Sequence, residues 1–184
     1  TSKYSGTTLK SINNKIPNSE ITIIDTPGLI PDGRISDLIS VENGLKLVPA
    51  GEISRKTFKL EENQVFMFDI FCRFKILGNE LLKSGSKPIF SAYASKSVKF
   101  HVAREERVET LLSGSFFEIL EGSEKKKYFQ NEFVTHEVEI EENEELVIAG
   151  LGWINVKRGP LKIQLEVPEK VKVVIRPSIF RNKK

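Results

Sequence analysis

From Glu52 onward, apolar residues of this chain recur at every second position. Phe66, Phe68, Ile70, Cys72, Phe74 and Ile76 alternate over one stretch, which reads as a single long strand. Val138 and Ile140 alternate with Glu137, Glu139 and Glu141, and Leu161, Ile163, Leu165 and Val167 with Lys162, Gln164 and Glu166. Successive side chains of a strand point to opposite faces, so this period describes antiparallel sheets with one face in a core and one in water. Val171–Arg176 reads as a last short strand. One helix interrupts the strands around Arg104 to Leu112, with Val108, Leu111 and Leu112 on its apolar side.

Residues 1–49 follow a different pattern. Lys10 to Ile16 is a weak strand candidate, closed by the turn signal Pro17-Asn18-Ser19. Ile21–Asp25 is apolar without alternation and reads as a strand buried on both faces, as in a parallel sheet. After Pro31-Asp32-Gly33, the spacing of Leu38, Ile39, Val41, Leu45 and Leu47 predicts a helix over Ser36 to Leu47. Pro49-Ala50-Gly51 is a natural boundary. The fold class is therefore α+β: a partial α/β segment over 1–49, then a β-rich domain with one helix over 50–184.

Composition narrows the function classes. The 184 residues are 39% hydrophobic and 29% charged, ordinary for a chain that buries a core. No apolar run approaches the ~18–20 residues of a membrane span, and no signal peptide opens the chain. The single Cys72 excludes an internal disulfide framework and suits a reducing compartment. With two His and one Cys, a structural zinc site is not expected. Residues 1–49 balance five basic against five acidic groups, so the net charge of +3 sits in the remainder. That permits a polyanionic partner without demanding one.

The chemistry-bearing motif is Ile21-Thr22-Ile23-Ile24-Asp25-Thr26-Pro27-Gly28. In P-loop GTPases an Asp-x-x-Gly at a strand end holds the Mg²⁺ shell through the carboxylate and the γ-phosphate through the Gly N–H. Gly6-Thr7-Thr8-Leu9 is similar to the switch that supplies a Mg²⁺-binding Thr. The G-x-x-x-x-G-K-[ST] loop and the guanine-reading Asn-Lys-x-Asp are absent from these 184 residues. The bland alternatives are an ordinary turn at Gly6-Thr7-Thr8 and a strand-end turn at Asp25–Gly28.

Taken with Leu45-Lys46-Leu47-Val48-Pro49, Ile148-Ala149-Gly150-Leu151-Gly152-Trp153-Ile154 and Val174-Ile175-Arg176-Pro177-Ser178-Ile179, these motifs resemble the YqeH family of circularly permuted GTPases. The resemblance covers essentially the whole chain. It implies a rotated motif order, with the guanine and phosphate motifs ahead of Thr1, and hence a fragment from switch I to the C-terminus. Thr8 and Asp25 would share Mg²⁺ when GTP is bound, and Gly28 would reach the γ-phosphate, with Thr7, Thr26 and Pro27 shaping the two switches. Leu29 stands where Ras-like enzymes keep a water-orienting Gln, so water would be oriented otherwise, a K⁺ ion near the switch being one family-level means. Tyr4-Ser5 replaces the Phe-Pro that often precedes Gly-Thr-Thr in the family. The resemblance further implies GTP binding and hydrolysis in the intact protein and a role in small ribosomal subunit (30S) assembly. It implies a C-terminal domain that recognises RNA or protein; the expected setting is the bacterial cytoplasm, with an organelle as the alternative. The fragment is expected to be inactive alone and to hold no cofactor. Its 1–49 half, with open sheet edges, is expected to be misplaced, swapped between chains or partly disordered. The alternative is a non-enzymatic RNA- or peptide-binding module.

Candidate RNA or partner contacts in the C-terminal part are Lys96, Lys99, His101, Arg104, Arg107 and Arg176, with Trp153 as a base-stacking residue. Lys125-Lys126-Lys127 and the tail's Arg181, Lys183 and Lys184 add basic charge. Each cluster also fits a plain solvated surface, and Trp153 also fits core packing. The acidic stretch Glu137 to Glu145 would repel RNA, so a binding surface should lie elsewhere.

Overall fold

The structure, a computed structural model, describes residues 12–17, 19–25, 32–78 and 85–180. The chain divides into two compact units, Thr1–Asp32 and Gly33–Lys184.

In the first unit, β1 (Ile12–Lys15) and β2 (Thr22–Asp25) form an antiparallel pair, with Ile12 opposite Asp25 and Lys15 opposite Thr22. Ser19 closes the turn: its Oγ donates to the Ile16 carbonyl and accepts from the Ile21 N–H. The expectation of a doubly buried parallel strand fails here. Ile21, Ile23 and Ile24 are 55–60% exposed. An apolar strand is buried only when layers cover both of its faces, and a two-stranded pair supplies none.

The second unit is built from two five-stranded antiparallel sheets. The first has the order β12 (Val173–Pro177), β9 (Glu144–Ile148), β10 (Gly152–Arg158), β6 (Ile89–Ala94), β3 (Ser54–Lys59). The second has the order β7 (Phe100–Arg104), β4 (Gln64–Phe68), β5 (Cys72–Ile76), β11 (Leu161–Pro168), β8 (Phe133–Ile140). Their inner faces meet through phenylalanine rings. Phe66 of β4 contacts Phe58 of β3 at 4.9 Å and Phe90 of β6 at 5.1 Å, both edge-to-face. Ile154, Val156, Ile163 and Leu165 are fully buried in the same core. The β-rich reading of this region therefore holds.

Three local differences from the sequence reading have physical causes. The alternating run from Phe66 to Ile76 is a hairpin, not one strand. Asp69 adopts a left-handed conformation (φ 52°), and β4 turns back on β5 with Phe66 opposite Phe74. Each arm keeps the period of two, so the run reads as continuous. The predicted helix over 36–47 is a 3-10 turn (Ile35–Leu38) followed by α1 (Val41–Leu47), separated at Ser40, whose Oγ caps the helix by accepting from the Asn43 N–H. Ile35 and Leu47 belong to the sandwich core, so residues 33–48, expected with the rest of 1–49 to be misplaced, swapped between chains or partly disordered, pack with the second unit. Its compact boundary lies at 32/33, earlier than the sequence boundary at 49/50.

The helix expected around Arg104 to Leu112 is present as a 3-10 turn (Glu105–Arg107) leading into α2 (Val108–Ser113). A further helix, α3 (Gly122–Tyr128), contains Lys125–Lys127 in its last turn, where cations meet the negative end of the helix dipole. Tyr128 anchors α3: it is fully buried and its hydroxyl donates to the Phe71 carbonyl at 2.7 Å. No helix among the described residues is long and apolar enough to cross a membrane.

Candidate functional site

Of the switch residues, Gly6, Thr7, Thr8, Thr26, Pro27, Gly28 and Leu29 lie outside the described residues. Asp25 is placed as the last residue of β2.

The basic candidates before α2 do not converge into one free cationic patch. Lys96 pairs with Glu52 at 2.9 Å. Lys99 donates to Glu118 at 2.8 Å and to the Phe116 carbonyl at 3.0 Å, with its ammonium 5.5 Å from the Phe116 ring. His101 packs on that same ring at 4.6 Å, and burial, with Arg107 next in weight, pushes its imidazole below the usual range. His101 is thus neutral near pH 7 and offers no charge to phosphate. Arg104 lies beside an acidic edge: Lys87 first, and Arg104 to a lesser extent, hold the Glu61 carboxyl below its ordinary range.

A cleft of about 600 Å³ opens between α2, α3 and the second sheet, lined by Leu112, Phe129 and Phe133 with Arg73, Glu109 and Glu166. Its size suits a small ligand or an inserted side chain. Arg73 is paired there, donating to Glu166 at 2.6 Å and lying 3.8 Å from Glu109, while Lys125, which donates to the Gly114 carbonyl, and Lys126 line the same cleft without an ion pair among the described residues. No cluster of metal-ligating side chains occurs among the described residues.

The outer face of the first sheet is different. Strand register aligns Arg55, Tyr93, Trp153, Val147 and Val174 in one row across β3, β6, β10, β9 and β12. The next row on that face is Thr57, Ser91, Asn155, Glu145 and Arg176. Tyr93 and Trp153 are stacked almost parallel, with centroids 4.9 Å apart and planes 4° from each other. The Arg55 guanidinium carbon sits 5.8 Å from the Tyr93 ring centroid. Burial first, then repulsion from Arg55, lowers the Lys157 ammonium below the usual lysine range, against a smaller attraction from the Glu145 carboxylate. Among the described residues neither Arg55 nor Lys157 is ion-paired.

The second row is a buried polar network. Glu145, the end of the acidic stretch expected to lie away from any RNA surface, is on this face, but it is fully buried, paired with Arg176, and accepts from Arg176 Nε at 3.2 Å, Ser178 Oγ at 3.1 Å and the Ile179 N–H at 3.2 Å. Asn155 Nδ2 donates to Ser178 Oγ at 2.7 Å, and the Thr57 and Ser91 hydroxyls bond at 2.9 Å. Two buried polar atoms have no partner among the described residues: Trp153 Nε1 and Asn155 Oδ1. They belong to residues two apart on one face of β10, and such orphans are rare in folded proteins.

The Gly150-Leu151-Gly152-Trp153 block serves this geometry. Gly150 is left-handed (φ 72°), and a Cβ there would lie 2.6 Å from Arg34 Cβ; one on Gly152 would lie 2.2 Å from the Tyr93 carbonyl oxygen. Glycine thus lets β10 approach β6 closely enough for Trp153 to stack on Tyr93. Of the sequence candidates, Trp153 and Arg176 share this face; Lys96 and Lys99 are held in ion pairs elsewhere, His101 packs on Phe116, and Arg104 and Arg107 lie at the end of β7 and in the 3-10 turn that follows it. Sequence reading missed Arg55, Tyr93, Glu145, Asn155 and Lys157, which lie on four strands and become neighbours only through cross-strand register.

Residues 87–179 match the family described as YqeH-like, C-terminal. That span contains β6 to β12 and most of the outer-face residues. The chain is also 27% identical, over 183 residues, to the "Uncharacterized protein YqeH" of Bacillus subtilis (strain 168). The similarity takes in 98% of this chain and 48% of that protein, so the chain spans about half the length of the curated relative it matches. With half of its length matched by the family and the remainder aligned to that relative, the chain belongs to the YqeH-like family through its C-terminal domain.

Proposed function

We propose that these residues are the switch and C-terminal part of a GTP-binding and GTP-hydrolysing protein that acts in assembly of the small ribosomal subunit in the bacterial cytoplasm. The observation that carries this is the similarity to a YqeH protein along 98% of the chain, which extends through the Asp25-Thr26-Pro27-Gly28 segment as well as the β-rich domain. Thr8 and Asp25 would hold Mg²⁺, which neutralises phosphate charge when bound, and the Gly28 N–H would meet the γ-phosphate. Leu29 cannot polarise water, so K⁺ near the switch or a group outside these residues would orient it. Nucleotide state would be read by the C-terminal domain as ordering of the switches.

The C-terminal domain, in this reading, contacts ribosomal RNA. Support comes from the outer face of the first sheet, where paired aromatic rings lie beside Arg55 and Lys157, neither of them in an ion pair among the described residues. A protein or peptide ligand is the second reading, favoured by the apolar wall of the α2–α3 cleft.

The test is a titration of a GTP analogue with Mg²⁺ into this chain and into the full-length protein. Binding by the full-length protein, weakened at least tenfold by Asp25→Ala, is the expected result. Absence of binding by the full-length protein overturns the GTPase reading and leaves a non-enzymatic binding module.

A further inference from the structure

The residues that follow β12 lie back across the outer face of the first sheet. The Ser178 N–H donates to the Asn143 carbonyl at 2.8 Å, which fixes the root of this segment. Ile179 N–H reaches Glu145, and Phe180 stacks on Tyr93 with centroids 5.2 Å apart and planes 23° from each other. Phe180 therefore takes a position on Tyr93 that a planar ligand would take. Phe180 is 44% exposed and Ile179 57% exposed, so each buries only part of its own side chain on the sheet, while lifting them uncovers Tyr93, which is 5% exposed, and gives up the Ile179–Glu145 bond.

We propose that this face is a stacking site for single-stranded RNA, with bases on Tyr93 and Trp153 and phosphates on Arg55 and Lys157, and that residues 179–180 occupy it as a displaceable strap. The proposal rests on the RNA reading of the C-terminal domain and locates it. Three independent features converge on that chemistry. Parallel rings offer a sequence-tolerant surface for bases. Arg55 and Lys157 crowd each other and form no ion pair among the described residues; the Glu145 carboxylate offsets this only in part, and phosphate supplies an anion at each nucleotide. One orphaned donor, Trp153 Nε1, and one orphaned acceptor, Asn155 Oδ1, match a phosphate oxygen and a ribose hydroxyl beside the stacked bases. A peptide backbone also offers an acceptor and a donor, but it brings no regular negative charge to Arg55 and Lys157.

A strap that fills the site lowers apparent affinity by the fraction of molecules in which it is lifted. Phe180→Ala removes the ring and spares the Ser178–Glu145–Asn155 network. Trp153 is the sole tryptophan, so its fluorescence reports this face alone. The experiment titrates fluorescein-labelled oligouridine into the 184-residue chain, the Phe180→Ala variant and the Phe180→Ala, Arg55→Gln, Lys157→Gln variant. Anisotropy and Trp153 emission are both followed.

The expected result is tighter binding by Phe180→Ala, by about five- to tenfold, with Trp153 quenched. The triple variant should lose that gain and about 1.4 units of log–log salt slope for the two phosphates. Equal binding by the unmodified chain and Phe180→Ala, with Trp153 unquenched, overturns the site and the strap while the RNA reading survives. No oligouridine binding by any of the three overturns the RNA reading itself. Displacement of oligouridine by polyglutamate at equal charge would show that the face reads charge alone and would overturn the base-stacking assignment.

Discussion

Strands β2 and β11 have similar apolar content and opposite fates. In β2, Ile23 and Ile24 are 55% and 58% exposed. In β11, Leu161, Ile163, Leu165 and Val167 are fully buried, between the β5 and β8 neighbours of a five-stranded sheet and beneath the facing sheet. β-propensity specifies extended backbone in both. Burial requires a second layer, which the sandwich supplies and the β1–β2 pair does not. An apolar strand is thus a statement about the neighbours it needs, not about those it has.

The largest expected effect sharpens this contrast. Phe66 is fully buried against Phe58, Phe68, Phe74, Phe90 and Phe100. Phe66→Ala should destabilise the sandwich by about 3–5 kcal/mol in urea unfolding. Ile23→Ala in β2 should change the same transition by less than about 0.5 kcal/mol. Comparable losses from both substitutions would break the comparison.

Next in size is the pH dependence of the β4–β5 turn. Asp69 is 1% exposed, and burial raises its carboxyl to about 6, although the Ile70 and Lys99 N–H groups both donate to it. A carboxyl raised from 3.8 binds its proton more tightly when folded. Its contribution is therefore greatest below pH 3.8 and is lost as pH rises through about 6. Relative to Asp69→Asn, the unmodified chain should lose about 3 kcal/mol of stability across that window. Parallel pH profiles for the two chains would contradict this. The β1–β2 pair contains no comparably buried titratable group among its described side chains.

The smallest effect concerns the surface ion pairs. Lys96 and Glu52 are 68% and 85% exposed. Lys96→Ala should alter stability by less than about 0.5 kcal/mol, an effect that shrinks further with added salt. A larger, salt-insensitive loss would mean that the pair is held more rigidly than its exposure implies.

Part of this architecture was legible in the residues. The alternations at 138–140 and 161–167 became β8 and β11, because half-burial imposes its period locally. The helix near Arg104–Leu112 followed from Val108, Leu111 and Leu112. Helix α3 was not legible: Lys125-Lys126-Lys127 reads as a charge run, and only Tyr128 commits the segment to the core. The Phe66–Ile76 run concealed its turn because the left-handed residue is Asp69, not glycine. Trp153 and Arg176 were candidates by residue type, but Arg55 and Tyr93 carry no local mark that they meet Trp153.

By itself, the sequence determined which segments are extended and half-buried, and it carried the motif set of the YqeH-like family. Both are local properties, encoded in the spacing of side chains along one strand or turn. Tertiary structure alone decided the pairing order β12-β9-β10-β6-β3, the row from Arg55 to Trp153, and the placement of Phe180 on Tyr93. Those depend on register between strands far apart in the chain, and a slip of one residue would turn every side chain of a strand to the opposite face.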